Sequence, residues 1–171
     1  PFHLWLPDAY QAAPFYVLLF LIIFPKLGLF HLLFNIHKIF PQNYIIVFSL
    51  ISTTLIGSIQ AVIQTKIKRF ISYSVIYNNG FFLSLLLLSG ISSYFFLTQS
   101  ILLYFIVTLT TSLTFFFLRN AHTQNIFLNL RDLVALKKSN IALTLILLLG
   151  FFSAAGVPPL LGFFQKYLIL L

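Results

Sequence analysis

The chain has no cysteine, no methionine and no glutamate. Without cysteine it can form no disulfide, no thiolate nucleophile and no Cys-ligated iron–sulfur cluster. Acidic residues are nearly missing as well. Asp8 and Asp132 stand against ten Lys and Arg, and charged residues make up 7% of the whole. A soluble domain carries roughly 25%, so these charges cannot cover a water-facing surface. There is no glycine-rich phosphate loop and no His/Asp/Glu cluster at metal-ligand spacing, so no cofactor and no metal is expected in this chain. A basic amphipathic face is missing too. The net charge of +8 comes from residues set between apolar runs, which argues against nucleic acid and for the charge bias of membrane loops.

What fills the sequence is apolar: 60% hydrophobic residues, with 22 Phe. A length of 171 residues can hold five or six spans of roughly 20 residues each. The expected fold is an all-α, polytopic transmembrane helix bundle, a single membrane domain over residues 1–171, solvated by the lipid bilayer. Residues 1–12 carry prolines and read as a short helix or turn. Polar punctuation places spans near 13–38, 44–63, 67–89, 94–118 and 141–171, the last broken around Gly156, Pro158 and Pro159. Within the polar stretch 119–140, Ile126, Leu130, Leu133 and Val134 recur at helical spacing, as in a surface-lying amphipathic turn. The turn at 64–69 and this loop lie two spans apart and so share a side. Together they hold Lys66, Lys68, Arg69, Arg119, Arg131, Lys137 and Lys138, against Lys38 alone opposite. That bias turns the loop toward the matrix or cytoplasm. The first residues have neither the basic start nor the cleavage site of a signal peptide. The start at Pro1 without any Met suggests a fragment or one half of a split gene. The wealth of Phe, Ile, Asn, Tyr and Lys suggests AT-rich codons and an organelle genome.

Lys26 is the sharpest signal. It lies thirteen residues after Ala13 and eleven before His37, roughly 20 and 16 Å along a helix from the two ends. A lysine side chain cannot snorkel that far. Its insertion costs at least about 2.5–3.5 kcal/mol, so it should face a polar interior. Pro25 precedes it, removes a backbone donor and frees the carbonyl of Leu21. The bland alternative is a lysine paired structurally with another subunit. Lys166 depends on geometry. On a straight helix from Asn140 it would travel about 39 Å, to the far interface; with the helix broken at 156–159 it could sit near the midplane. His31 lies five residues from Lys26, about 140° around the helix, as a relay through water or an ordinary interhelical histidine. It is the single histidine away from the end of a span, which speaks against a haem. Tyr73, Ser74, Tyr77, Asn78 and Asn79 form a polar patch, read either as helix glue or as the lining of a water path. Asp8 after Pro7 reads as a helix cap, and Asp132 beside Arg131 as solvated loop charge.

These residues together resemble a known family. Pro1-Phe2-His3-Leu4-Trp5-Leu6-Pro7-Asp8-Ala9-Tyr10 with Ala13-Pro14 resembles the PFHxWxPDxYxxAP signature of the antiporter-like subunits of respiratory NADH dehydrogenase. Pro25-Lys26-Leu27-Gly28-Leu29-Phe30 is similar to the lysine segment of the family's eighth helix. The run from Gln64 through Arg69 to Tyr73-Ser74 is similar to its QTxIKRLLAYSS turn. Ala155-Gly156-Val157-Pro158-Pro159 through Gly162-Phe163-Phe164-Gln165-Lys166 is similar to the AGIPPLxGFxxK break of its twelfth helix. The pattern resembles most the subunit 2 branch, called subunit N in bacteria.

The resemblance implies a proton-translocating subunit of NADH:ubiquinone reductase (complex I), with no redox chemistry in this chain. Lys26 and Lys166 would be the proton relay, with His31, Tyr73 and Asn78 as further candidates. Asn78 departs from the family, which usually has His there. Flavin and iron–sulfur clusters belong, on this reading, to partner subunits. The match covers the end of the family's seventh helix through the twelfth. Another chain is therefore expected to supply the missing N-terminal helices and an acidic residue near Lys26, which a half-bundle would leave facing lipid. The implied location is the mitochondrial inner membrane, multi-pass, ahead of a bacterial plasma membrane. The alternatives are a cation/proton antiporter subunit and a non-pumping structural remnant of the membrane arm.

Overall fold

In a computed structural model the described residues are 5–39, 43–87, 91–121, 129–130 and 141–170. They form α1 (Leu6–Ala12), α2 (Phe15–Ile39), α3 (Asn43–Ile63), α4 (Ile67–Leu87), α5 (Ile91–Ala121), α6 (Ile141–Ala155) and α7 (Leu161–Leu170). The chain is an all-α, multi-pass membrane bundle. Four of its helices carry stretches long and apolar enough to cross a membrane: Tyr16–Ile39, Tyr44–Ile63, Ile67–Leu87 and Phe95–Phe115. With 15 and 10 residues, α6 and α7 reach about 22 and 15 Å, each short of a hydrocarbon core about 30 Å thick.

Local chemistry sets the boundaries. Pro7 lies in the first turn of α1, where a missing N–H costs little. Ala13, held extended at ψ 142° before Pro14, ends that helix. Asp8 does not cap it: no side chain bonds to the helix start. The carboxylate sits already inside the first turn, and Arg69 of α4 donates to its Oδ1 at 2.8 Å instead. The sequence places a span at 94–118, whereas α5 runs from Ile91 to Ala121 over 31 residues. The i to i−4 ladder does not stop where the apolar run stops, since interfacial turns can stay helical. Hydroxyls inside the helices turn back onto their own carbonyls. Thr53 Oγ1 donates to Ser49 O at 2.8 Å and Ser112 Oγ to Thr108 O at 2.6 Å, so they need no water in an apolar medium.

Packing follows small residues. α3 and α4 form a tight antiparallel pair, with Gly57 against the Tyr77 backbone and Gly80 against Thr54. A Cβ on Gly57 would lie 2.8 Å from the Tyr77 nitrogen, and such small residues let membrane helices approach. The main core lies between α2, α4 and α5, where Leu18, Ile22, Phe30, Phe82, Leu85 and Ile101 meet, with Tyr10 of α1 joining them. A second cluster of Ile67, Phe115 and Leu147 ties α4, α5 and α6. Outward-facing Phe20, Phe24, Phe48, Leu55 and Ile59 are exposed, a surface for lipid or other apolar chains.

The basic turn after α3 meets the loop after α5. Leu130 N–H donates to Thr65 O at 2.9 Å, and Lys66 bridges to Asn129. The other loop residues read from the sequence, including His122, Ile126, Arg131, Asp132, Leu133, Val134, Lys137 and Lys138, lie outside the described residues, as does His3.

Candidate functional site

Lys26 projects from the middle of α2, one residue past Pro25. A proline inside a helix leaves the carbonyl four residues earlier without its amide, and here that carbonyl belongs to Leu21. The Tyr10 hydroxyl donates to it at 3.3 Å. The lysine itself turns inward and is 6% exposed. Its surroundings are aromatic rather than polar. Nζ lies 3.8 Å from the centre of the Tyr104 ring and 5.7 Å from that of Phe82, and it has no hydrogen-bond partner among the described residues. Its own chain, through α4 and α5, encloses it, so lipid does not face it. The polar interior read from the sequence is replaced by π faces, which attract a cation without a hydrogen bond. A desolvated cation–π pair supplies about 2 kcal/mol against an insertion cost of at least about 2.5–3.5 kcal/mol. The rings alone leave the charge short of a full counterweight. Among the described residues the sole carboxylate paired with a cation is Asp8, at Arg69.

Lys166 sits on the other side of the bundle, on α7. α6 ends in a turn around Gly156, whose φ of +85° suits glycine. The Gly156 N–H donates to Phe152 and Ser153 carbonyls at 3.1 and 3.0 Å, and the Val157 N–H to Phe152 O at 3.1 Å. Gly162 then brings the start of α7 directly against Ser153, leaving no room for a Cβ. This return carries Lys166 Nζ to the Ala155 carbonyl, 2.7 Å away. A cation there answers the negative end of α6. The rings of Tyr77 and Phe81 lie 5.3 and 5.5 Å from the same nitrogen.

Between the lysines is a cavity of about 370 Å³, whose lining includes Ser74, Tyr77, Asn78, Thr108, Gln165 and Lys166. Tyr104 belongs both to this cavity and to a cleft of about 10 Å³ that it shares with Lys26, Ile23 and Ile101. The cleft is at the threshold for one water molecule, while the cavity has room and polar partners for several. The Tyr104 hydroxyl and Gln165 Nε2 are buried without a hydrogen-bond partner among the described residues. Asn78 is buried on the cavity wall and donates from Nδ2 to Ser74 O at 2.9 Å.

Of the residues singled out in the sequence, Asn78 and Lys166 share the cavity, and Lys26 reaches its edge through Tyr104. Tyr73 is half-buried and not on the cavity wall. His31 is exposed on α2, its Nε2 3.2 Å from Asn35 Nδ2. Pro25 is exposed, and Pro158 and Pro159 form the turn between α6 and α7, joined by a cis peptide. Tyr104, Gln165 and Tyr10 carry site geometry that sequence reading missed. For Tyr104 a signal existed, a hydroxyl ten residues inside the run that starts at Tyr94. No three of His, Cys, Asp or Glu gather into a metal-holding group among the described residues.

The whole chain, residues 1–171, matches the family described as NADH:quinone oxidoreductase/Mrp antiporter, TM. NADH-ubiquinone oxidoreductase chain 2 of Metridium senile is 35% identical over 173 residues, covering 100% of this chain and 42% of that protein. NADH-quinone oxidoreductase subunit N 1 of Rhizobium meliloti is 33% identical over 175 residues, covering 99% of this chain and 36% of that protein. The present sequence therefore spans less than half the length of these relatives. A chain of the solved respiratory complex I from Thermus thermophilus with bound aureothin superposes with a TM-score of 0.78 at 27% identity, over 99% of this chain and 37% of that one. In sequence and in fold, the chain belongs to the NADH:quinone oxidoreductase/Mrp antiporter transmembrane family and resembles chain 2, or subunit N, within it.

Proposed function

We propose that this chain is a proton-translocating part of the membrane arm of respiratory NADH:ubiquinone oxidoreductase, and that Lys26 and Lys166 carry the proton. The observation behind this reading is the placement of Tyr104, which packs its ring on Lys26 and borders the cavity that holds Lys166, Asn78 and Gln165. Protons move between groups that can both bind and release them. Lysine does both; arginine does not release its proton in proteins. Water in the cavity, ordered by Asn78, Gln165 and the Tyr104 hydroxyl, would connect Lys166 with the dry pocket of Lys26. Moving one charge against 100 mV requires about 2.3 kcal/mol, and a change in hydration or in a neighbouring charge at Lys26 is the kind of event that supplies it.

On this reading the redox chemistry, with flavin and iron–sulfur clusters, lies in partner subunits. The other membrane-arm subunits of complex I are the partners, including whatever polypeptide carries the helices and the carboxylate missing here. The mitochondrial inner membrane is the favoured location. A cation/proton antiporter is the second reading, since the family description covers both. Company separates them: co-purification with flavin and iron–sulfur chains fits the first reading and their absence the second.

The test uses the purified whole complex in sealed vesicles, counting protons moved per NADH. Lys26→Arg and Lys166→Arg should each lower that ratio while assembly survives. NADH oxidation by a soluble artificial acceptor should continue, because that chemistry belongs to other chains. Normal pumping in Lys26→Arg would mean that only a positive charge is needed there, and the relay role would be withdrawn.

A further inference from the structure

α1 lies outside the spans and carries no part of the relay, yet Tyr10, buried in it along with Pro7, is 4% exposed and enters the core beside Leu18, Ile22 and Tyr104. Its hydroxyl reaches the one carbonyl of α2 that Pro25 deprives of a backbone donor. Lys26 leaves the helix at the next residue. α1 is in turn fastened to the start of α4. Arg69 pairs with Asp8 at 2.8 Å, and Lys68 Nζ donates to Gln11 O at 3.3 Å and Ala13 O at 2.5 Å.

We propose that Tyr10 is a positioning residue for Lys26: its hydroxyl replaces the amide missing at Pro25, so that α1, anchored by Lys68 and Arg69, fixes the helical turn from which Lys26 projects against Tyr104. The proline opens the helix, and an opened turn in an apolar medium needs an outside donor to hold one conformation. A tyrosine suits this position, because its ring satisfies the core and its hydroxyl satisfies the carbonyl. Burial pushes the Tyr10 hydroxyl up to about 12, so it keeps its proton and remains a donor throughout the working range of the membrane. Asp8 is exposed and Arg69 half-buried, and the pair contributes alignment more than energy. The proposal rests on the relay reading of Lys26 for its functional consequence, but the linkage from Tyr10 to Leu21 stands apart from it.

The experiment is a double-mutant cycle in the whole complex, with Tyr10→Phe, Pro25→Ala and the pair. Alanine at 25 returns an N–H to the Leu21 carbonyl. Amide hydrogen exchange is followed on the peptide covering residues 15–30, and protons per NADH are counted in vesicles. With Pro25 present, Tyr10→Phe should speed exchange in the turn around Leu21 to Lys26 roughly tenfold, the size of one lost buried hydrogen bond, and lower the proton yield. With alanine at 25, the same replacement should change neither. Equal effects in both backgrounds would reduce Tyr10 to a packing residue and overturn the proposal. A tenfold exchange effect with an unchanged proton yield, in a complex where Lys26→Arg abolishes pumping, would overturn the positioning of Lys26. Should Lys26→Arg pump normally, the relay reading is what fails, and the exchange cycle alone decides the linkage.

Discussion

The two lysines of this bundle are the same residue in opposite settings. Lys26 is enclosed, lies on the face of Tyr104 and has no hydrogen-bond partner among the described residues. Lys166 is half-buried, borders a cavity of about 370 Å³ and donates to the carbonyl that ends α6. One lysine is held by shape, the other by a hydrogen bond that the helix break creates. A charge held by shape costs the fold energy, because π faces return about 2 kcal/mol against a larger insertion cost. A charge that caps a helix end returns stability. The comparison separates a charge that the fold counterbalances only in part from a charge that the fold itself supports.

The largest effect that would break this contrast is at Lys26. Lys26→Met keeps the length and apolar stem and removes the ammonium. On the relay reading the variant should stabilise the complex by at least roughly 0.5–1.5 kcal/mol, the insertion cost removed less the cation–π attraction of about 2 kcal/mol lost with it, while proton yield collapses. Thermal unfolding of the purified complex checks the first and vesicle pumping the second. A destabilised Lys26→Met complex would show that another chain supplies a strong partner to the ammonium, and the description of a site held by shape would be wrong.

Next in size is Gly156→Ala, which acts on the second lysine through its scaffold. The backbone there has φ +85°, and a Cβ would approach Lys166 Cδ to 2.9 Å and Nζ to 3.2 Å. An L residue in that region costs roughly 1–2 kcal/mol, and the lysine must also shift from the Ala155 carbonyl. Thermal stability should fall by that amount and the proton yield should drop in part. Gly28→Ala is the control: it meets nothing within 4 Å, sits mid-helix and should gain up to about 1 kcal/mol. If both glycine variants behave alike, the break does not position Lys166.

These contrasts mark what the sequence could and could not tell. Depth is a one-dimensional property, so the central position of Lys26 followed from counting between Ala13 and His37. Helix content and the multi-pass arrangement followed from the length of the apolar runs, and family membership from four motifs in order. Facing is three-dimensional. Nothing near Lys26 in the chain announces Phe82 or Tyr104, which arrive from α4 and α5, and a polar interior was inferred where aromatic rings stand. Asp8 was read by its local position as a cap, while its partner Arg69 lies far along the chain. Pro25 told that the Leu21 carbonyl would be free. That Tyr10 would meet it depends on how α1 folds back onto α2.

The smallest effect is expected at the second lysine, and its sign is what matters. Lys166→Met removes a donor from the Ala155 carbonyl, the last of α6. That carbonyl borders a cavity with room for water, which can replace the ammonium in part. The loss should be no more than about 1 kcal/mol, because the group is half-exposed and the interaction is screened. The direction is nevertheless opposite to that of Lys26→Met, although the same atoms are exchanged. The two variants, unfolded side by side in the whole complex, therefore test the contrast with composition held constant. Opposite signs support a dry, costly lysine and a capped, supported one. Stabilisation in both would mean that the bond to Ala155 contributes nothing in the assembled membrane arm, and that the helix break serves only to bring Lys166 to the cavity.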